Sequence, residues 1–473
     1  MMLKKAPAIA ALLLCLATAA FAGQEAPQRP EGLAYPPLTF HLPKTVRVQL
    51  KNGMTLHLLE DHELPLVNIH AMVRIGSAWE PADKAGLASL TGSIWRAGGA
   101  EGLSPGALDE KLESMAAVLE TSIGSESGTI ALNVMTHNLD EGLRLFAAVI
   151  RAPAFDEQRF ATLKSQMLEN IAREEDDPET LVDREFRRLL FAGHAFGNVP
   201  DTASVKRIAR ADCAGFYRRH IGPESFIVAI NGDFNADDMV RRFEALFEGF
   251  PPAAAAVGPL PELPADITPG VYLLNKPLPQ TGIRMGHFGV SRKSPDFDAV
   301  RVMNYVVGGG GFASRMLKEI RTVRGLAYSV YSYFGMSDGT KGAFMAGGET
   351  KAASTHEFVD TARAIMRGVA ADGITEAELA MAKEALINSF VFAFDKKADV
   401  AQRYAWMEYY GMPDDYLEGL RGRIQKVTMA DVKRVARQYL QPDRMVIAAL
   451  GDGKIIGEQL EKIGRVQTIE PAK

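Results

Sequence analysis

The chain has 473 residues and a formal net charge of −5, with 53 Lys and Arg against 58 Asp and Glu. Because there is no basic excess to bind phosphate groups, the composition argues against a protein that binds nucleic acid or anionic membranes. Apart from Cys15, close to the N-terminus, Cys213 is the only cysteine, which excludes an internal disulfide or a cysteine metal site in the mature chain. A chain of this length exceeds what one hydrophobic core usually supports, so we expect two domains.

The N-terminus has the three parts of a secretory signal peptide. Lys4 and Lys5 form a basic start, an apolar run extends from Ala8 to Leu16, and Ala20-Phe21-Ala22 is a small-x-small cleavage site. The apolar run is shorter than the ~20 residues that a membrane-spanning helix needs. We therefore expect an exported protein whose mature chain begins near Gly23 and whose compartment is the periplasm.

Hydrophobic periodicity in the first half predicts strands mixed with helices. Val46 to Leu59 alternates around an Asn52-Gly53 turn, which predicts a hairpin, and Val67 to Ile75 and Thr129 to Thr136 are further strands. Apolar residues at helical spacing predict four helices, at Asp83 to Trp95, Pro105 to Val118, Leu139 to Ile150 and Asp156 to Glu175.

The second half repeats this mixture after a segment rich in Pro and Ala, Pro251 to Pro269, which is typical of a linker. Ala211-Asp212 recurs as Ala430-Asp431, and Gly232-Asp233 recurs as Gly451-Asp452, both at the same offset along the chain. The predicted strands are Val271 to Leu274, Gly282 to Phe288, Ala327 to Phe334 and Ala343 to Gly348, and long helices follow from Ser354 and Thr375.

Together these patterns predict an α+β fold of two homologous domains, each a mainly antiparallel sheet with packed helices. The predicted boundaries are a signal peptide at 1–22, an N-terminal domain at 23–250, a linker at 251–270 and a C-terminal domain at 271–473.

The segment GGGGFASRMLKEIRTVRGLAYSVYS, Gly308 to Ser332, closely resembles the C-terminal half of pitrilysin/insulinase-type peptidases and of the mitochondrial processing peptidases. Gly76-Ser77, Glu80-Pro81, the EEDDP stretch at 174–178 and His194 with Phe196-Gly197 extend the resemblance over nearly the whole mature chain. It implies the same two-domain α+β fold and a relation to metallopeptidases that act on peptides.

Members of that family that cut peptides carry an inverted zinc motif, H-x-x-E-H, on a helix of the first half, and a downstream Glu as third ligand. The matching positions here are Ser89, Gly92, Ser93 and, further along the chain, Asn170. Glu169 lies about 100° away from Asn170 on a helix and is a poor substitute. Because Ser and Asn do not replace His and Glu as zinc ligands, the resemblance implies no zinc in this chain and zinc in a partner subunit.

In peptide-cutting relatives the second half supplies an Arg and a Tyr, seven residues apart, that bind the substrate carbonyl or the developing oxyanion. Arg321 and Tyr328 match that spacing, whereas Arg324 is only four residues from Tyr328. Guanidinium and phenol groups both donate hydrogen bonds to an oxygen that gains negative charge. On their own, the two residues are more typical of an Arg near a helix C-terminus and a Tyr that begins a strand, and the surrounding motif is what favours the binding role.

The run Gly308-Gly309-Gly310-Gly311 lacks the Lys-Ser/Thr of a phosphate-binding loop and follows a predicted helix instead of a strand, which argues against nucleotide binding. It resembles the glycine-rich loop that contacts the peptide in the non-catalytic processing-peptidase subunit. A flexible joint is the alternative interpretation.

The resemblance implies a non-catalytic, substrate-binding subunit of a heterodimeric zinc metallopeptidase, whose partner is a homologue with an intact H-x-x-E-H motif. Two other hypotheses stay open: a peptide-binding or chaperone-like protein that has no zinc partner, and a structural scaffold with no proteolytic role. A neighbouring reading frame with the intact motif would favour the first.

Overall fold

The computed structural model describes residues 42–174, 176–394 and 396–471, so the predicted signal peptide at 1–22 lies outside the described residues. The described strands form two sheets of six strands each, one in each half of the chain. Among these residues, no helix is both long and apolar enough to cross a membrane.

The first half carries the first sheet and the helices around it. Its strands are β1 (Val46–Gln49), β2 (Thr55–Glu60), β3 (Leu66–Val73), β4 (Val118–Ile123), β5 (Gly128–Met135) and β6 (Phe226–Gly232). Its helices are α1 (Leu87–Ala97), α2 (Pro105–Ser114), α3 (Leu139–Arg151), α4 (Glu157–Glu174), α5 (Pro178–Leu190), α6 (Thr202–Arg207), α7 (Arg210–His220) and α8 (Ala236–Leu246).

The second half repeats the arrangement after residues 251–269, which contain no helix or strand. Its strands are β7 (Gly270–Asn275), β8 (Gln280–Phe288), β9 (Ala327–Gly335), β10 (Ala343–Lys351), β11 (Val446–Gly451) and β12 (Val466–Ile469). Its helices are α9 (Phe297–Asn304), α10 (Thr355–Asp372), α11 (Glu376–Ser389), α12 (Lys397–Tyr410), α13 (Leu420–Lys426), α14 (Met429–Tyr439) and α15 (Gly453–Glu461).

The two sheets have matching topology. Their strand orders are β1-β2-β6-β3-β5-β4 and β12-β7-β11-β8-β10-β9, and in each a buried central strand pairs parallel on one side and antiparallel on the other. These central strands, β6 and β11, are the elements that end at the repeated Gly232 and Gly451. The predicted α+β fold of two homologous, mainly antiparallel domains is confirmed.

Two predicted helices in the first half differ from the observed ones. The helix predicted from Asp83 begins at Leu87, because Gly86 has φ +99°, a left-handed conformation that interrupts the helix. The helix predicted to end at Val118 ends at Ser114, since Ala116 has φ +48° and Val118 already begins β4. Strand β4 at the sheet edge was therefore missed, although its position decides how α1 packs.

Each half supplies a helix to the sheet of the other half. Helix α12 packs against β2, β3 and β6 of the first sheet, and α5 packs against β8 and β11 of the second. Each half has a hydrophobic core of its own. A further cluster lies between the halves and includes Val182 and Phe186 of α5 with Leu274, Met345 and Ala448 of the second sheet. This exchange of helices joins the two halves, so a cavity between them is lined by residues that are fixed in position.

A polar cluster fastens α12 to the first sheet. Glu408 accepts hydrogen bonds from Arg47 Nε and Nη2 at 2.8 and 2.7 Å, and its Oε2 lies 2.8 Å from Nε2 of the buried His57. Burial lowers the pKa of His57, so the ring is neutral near pH 7 and donates a hydrogen bond through Nε2–H to Glu408.

We expect Glu408→Ala to lower the free energy of unfolding by about 1–3 kcal/mol, because it leaves the buried His57 without its partner. Urea unfolding followed by circular dichroism measures this. Glu418→Ala is the control: Glu418 is exposed and lies 3.9 Å from Lys44, a pair for which we expect a change below about 0.5 kcal/mol. Equal effects of the two substitutions would contradict a role for the cluster.

Candidate functional site

Arg321 and Tyr328 lie at the end of an irregular segment between α9 and β9. The chain leaves α9 through a wide π-type turn at Tyr305–Gly309 and enters a second π-type helix at Leu317–Val323. That helix closes when the N–H of Leu326 bonds the carbonyl of Ile320 at 2.9 Å, and Gly325 turns the chain with φ +62°. Segments of π-type helix are rare in proteins, and those that occur often lie at functional sites.

The Arg321 guanidinium is held between two aromatic rings. Its carbon lies 4.8 Å from the ring centre of Phe312 and 4.6 Å from that of Tyr328, within the range of cation–π attraction. Phe312 and Tyr328 are 74% and 82% exposed. These two rings are the contacts of the Arg321 guanidinium, which makes no ion pair within the described residues, so its hydrogen-bond donors are available to a ligand at the surface.

The structure therefore brings together the Arg and Tyr that the resemblance singled out. It also agrees with a purely structural role for the two residues, because Arg321 lies in the last turn of a helix and Tyr328 is the second residue of β9. The stacking with exposed Phe312 is an additional feature that neither interpretation predicted from the sequence.

The four consecutive glycines divide into a buried and an exposed part. Gly308 is buried, and a side chain there would meet the backbone nitrogen of Ser332 at 2.7 Å. Gly309 would meet Nδ2 of Asn304 at 2.6 Å, while Gly311 has φ +55° and open space around it. Gly308 thus lets the turn pack on β9, and a contact of the four glycines with substrate remains a prediction.

Two of the positions that match the zinc ligands share a cavity. Ser89 of α1 and Asn170 of α4 both line a cavity of about 650 Å³, together with Glu174, Arg184 and Tyr333. Ser93 lies one turn along α1, where its hydroxyl donates to the carbonyl of Ser89 at 3.1 Å. The spacing read from the sequence therefore selects residues that meet in space.

Gly92, the position of the general base in the family motif, lies against strand β4. A side-chain carbon there would be 2.4 Å from the backbone nitrogen of Ile123. Thr121 of β4 fastens the two elements, since its hydroxyl donates to the carbonyl of Gly92 at 2.7 Å and accepts from the N–H of Arg96 at 3.1 Å. The backbone of β4 therefore occupies the space that a glutamate side chain at position 92 of α1 would need.

Arginines supply the positive charge in the Ser89–Asn170 cavity. Glu174 pairs with the buried Arg184 at 2.9 Å, and Arg187 also lines the cavity. Across residues 42–174, 176–394 and 396–471, no three His, Cys, Asp or Glu side chains cluster as metal ligands would. The two carboxylates of the cavity, Glu174 and Asp183, are paired with Arg184 and Arg284, and Ser and Asn are poor ligands for Zn²⁺, so the residues of this chain do not fit a zinc site. Glu169 does not line the cavity.

Glu80 lies buried beneath the first turn of α1, at the Glu-Pro pair that belongs to the family resemblance. Its two carboxyl oxygens accept the N–H groups of Gly86 at 3.0 Å and Ala88 at 2.7 Å. Burial raises the pKa of Glu80 to about 7, although these amides and the charge of Arg187 act in the opposite direction.

Glu80 should make the stability of the chain depend on pH. Because its folded-state pKa is raised, its contribution is fully present below the unfolded pKa of about 4.3 and is lost as the pH rises through 7. We expect Glu80→Gln, which cannot titrate, to flatten the fall in unfolding free energy between pH 5 and 7 by roughly 1 kcal/mol per pH unit. Urea unfolding at several pH values tests this. Glu110→Gln, at an exposed position of α2, should keep the original slope.

Two family models match the chain. The first, described as Insulinase (Peptidase family M16), matches residues 57–199, and the second, described as Peptidase M16 inactive domain, matches residues 207–386. Together they span more than half of the chain and include both candidate sites. The chain belongs to peptidase family M16. The resemblance to insulinase-type peptidases read from its motifs is confirmed.

Relatives of this M16 chain include proteins named as peptidases and proteins named as inactive. YmxG of Helicobacter pylori, named a non-peptidase homolog, is 25% identical over 403 residues, which cover 84% of this chain and 91% of YmxG. A Streptomyces coelicolor protein, named an uncharacterized zinc protease, is 31% identical over 299 residues, which cover 61% of this chain and 64% of that protein.

Among solved structures, the M16 inactive domain from Pseudomonas fluorescens superimposes with a TM-score of 0.79 and 26% identity, covering 86% of this chain and 98% of that one. The likeness to a non-peptidase homolog and to an inactive domain supports a non-catalytic member of family M16.

Proposed function

We propose that this M16 chain is the non-catalytic, substrate-binding subunit of a heterodimeric zinc peptidase that acts on peptides outside the cytoplasm, in the periplasm. A homologous subunit with an intact H-x-x-E-H motif would hold the zinc. The observation that carries the proposal is Arg321, stacked between the exposed Phe312 and Tyr328 and without an ion pair in the described structure, in a chain whose own metal positions hold Ser and Asn.

The chemistry of the pair suits an oxyanion. When a peptide carbonyl is attacked, its oxygen gains negative charge, and the guanidinium of Arg321 and the hydroxyl of Tyr328 can both donate hydrogen bonds to it. Stacking restricts the Arg321 side chain before substrate arrives, which lowers the entropy lost on binding. Such donors act most strongly where water is excluded, and in the free chain Tyr328 is exposed and Arg321 is partly exposed. A subunit that covers this face would supply the missing enclosure.

The chain's own degenerate cavity does not supply that enclosure. Neither Arg321 nor Tyr328 lines the cavity around Ser89 and Asn170 in the described structure. A composite site therefore has to form between two chains, with the surface around Arg321 facing the partner's metal.

Reconstitution tests the proposal. The mature chain would be mixed with the H-x-x-E-H homologue from the same organism, and hydrolysis of a fluorogenic peptide library would be measured for each subunit alone and for the mixture. We expect activity in the mixture well above that of the partner alone, and a 1:1 complex on size-exclusion chromatography. A stable complex whose activity equals that of the partner alone would favour the scaffold hypothesis instead.

A further inference from the structure

A second cavity, distinct from both sites above, lies where the two halves of the chain meet. Its volume is about 600 Å³, within the range of small-molecule sites. Trp79 and Glu126 of the first half form one wall, Leu260 of the linking segment forms another, and Tyr409 and Tyr410 of α12 close it. None of its lining residues belongs to the Ser89–Asn170 cavity or to the Arg321 site.

Hydrogen bonds from all three parts of the chain fix these walls. His194 donates through Nε2 to the carbonyl of Pro261 at 3.2 Å, which ties down the linking segment. The hydroxyl of Tyr409 donates to the backbone carbonyl of Glu126 at 2.5 Å. Oε2 of Glu126 accepts the N–H of Gly339 at 3.1 Å, so the carboxylate bridges the two halves. A cavity held this way is largely preformed for a ligand.

Two polar groups in the wall lack partners. Glu126 is only 6% exposed, yet its Oε1 accepts no hydrogen bond, and Nε1 of Trp79 donates none, among the residues that the structure describes. Burial and the nearby Glu126 carboxylate raise the pKa of Tyr410, but its phenol makes no hydrogen bond of acceptable geometry to Oε1. Native proteins rarely leave buried carboxylates and indoles unsatisfied. Because Glu126 lines the cavity, a donor on a ligand placed beside this carboxylate would satisfy Oε1 while Oε2 keeps its bond to Gly339.

The charges are arranged with opposite signs inside and outside. Among the lining residues, Glu126 is the buried charged side chain, and Arg187, which interacts with its carboxylate, lies outside the lining. At the mouth stand the exposed Arg74, Lys293 and Lys341, with Glu262 as the one exposed carboxylate among the lining residues. The Arg74 guanidinium lies 5.3 Å from the ring centre of Tyr409. A ligand with a cationic end and an anionic end would match this polarity.

We propose that this cavity binds a short apolar peptide with both termini free. Its ammonium group would donate to Oε1 of Glu126, its carboxylate would face Arg74 and Lys341 at the mouth, and its side chains would contact Trp79 and Leu260. A peptide carbonyl near Trp79 would accept the indole N–H. The site stands apart from the proposed oxyanion role of Arg321 and needs no partner subunit.

Isothermal titration calorimetry of the mature chain with the dipeptide Leu-Leu tests the proposal. We expect saturable 1:1 binding, and at least about tenfold weaker binding of N-acetyl-Leu-Leu, which lacks the ammonium that pairs with Glu126. Leu-Leu amide should be weakened less, because the cations at the mouth are solvated. Absence of binding by Leu-Leu, or equal binding of the acetylated form, would overturn the proposal.

Variants locate the site. Glu126→Gln keeps the shape and should weaken Leu-Leu by at least about tenfold while leaving the acetylated peptide unchanged, whereas Glu262→Gln at the mouth should change either affinity by less than about twofold. Trp79→Phe should abolish the change in tryptophan fluorescence that Leu-Leu causes in the unmodified chain. If Glu126→Gln fails to fold, the comparison of Leu-Leu with its acetylated form on the unmodified chain still decides the matter. Unchanged Leu-Leu affinity in a folded Glu126→Gln variant would place the ligand elsewhere.

Discussion

Replacing Arg321 by Ala is expected to lower kcat of the reconstituted heterodimer by about 10²–10³-fold, with KM changed by less than about threefold. The loss should fall on kcat because the guanidinium of Arg321 would meet full negative charge only in the transition state. Tyr328→Phe removes one neutral donor and should cost less. Steady-state kinetics on a single fluorogenic peptide, with both subunits purified and mixed at 1:1, separates kcat from KM.

Arg324 provides the matched control. It lies three residues after Arg321, is exposed, and pairs with Glu319 at 2.8 Å and Glu357 at 3.1 Å. Arg324→Ala removes the same charge from the same surface and should change kcat by less than about twofold. If Arg321→Ala raises KM alone, the residue binds ground-state substrate and not the oxyanion. If both variants abolish the complex on size-exclusion chromatography, the surface is an interface and the catalytic role is wrong.

Elements with strong local signals were predictable from the sequence. The Asn52-Gly53 turn joins β1 and β2 in the expected hairpin, with Val48 opposite Leu56. The Gly-Asp repeat, at one constant offset, marks the central strands of the two sheets, because a fully buried strand needs an apolar run and a tight exit. The seven-residue spacing of the family motif was enough to select Arg321 and Tyr328, whose side chains are in contact in the structure.

Features that depend on distant contacts were not predictable. The exchange of α5 and α12 between the sheets joins segments that are far apart in the chain, and no periodicity in either helix indicates which sheet it covers. The cavity at Glu126 is built from segments that are far apart in the chain, and one of them is the linker, whose Pro- and Ala-rich sequence contains no motif that indicates a binding site. The acidic stretch at 174–178 and the helix after it could have marked Glu174 and Arg184 as residues near the site. That the two side chains form an ion pair could not be predicted, because it depends on how α4 and α5 lie relative to each other.

The structure also changes what the missing zinc motif means. From the sequence, the loss at Ser89, Gly92, Ser93 and Asn170 consists of four side chains. In the structure, Gly92 allows α1 to approach β4 so closely that the helix carbonyl bonds Thr121. The loss at Gly92 is therefore part of the packing, and restoring a glutamate at this position acts against the fold.

We expect Gly92→Glu to destabilise the chain by more than about 3 kcal/mol, because it forces a side chain into the backbone of β4 and buries a carboxylate without a partner. Gly92→Ala should cost about 1–3 kcal/mol, since its single added carbon would lie 2.4 Å from the nitrogen of Ile123. Urea unfolding followed by circular dichroism gives both values, and failure of Gly92→Glu to yield soluble protein would agree with the upper one.

Gly215→Ala separates packing from helix propensity. Gly215 lies within α7, and a side-chain carbon there meets nothing within 4 Å, so alanine should stabilise the chain by about 0.5–1 kcal/mol. The same substitution would thus have opposite signs in two helices, and only contact with β4 accounts for the difference at Gly92. If Gly92→Ala proved neutral, α1 could move away from β4, and the general base could be restored without loss of the fold. The non-catalytic character of the chain would then rest on its side chains alone, and a variant carrying the complete H-x-x-E-H motif and Asn170→Glu should bind zinc.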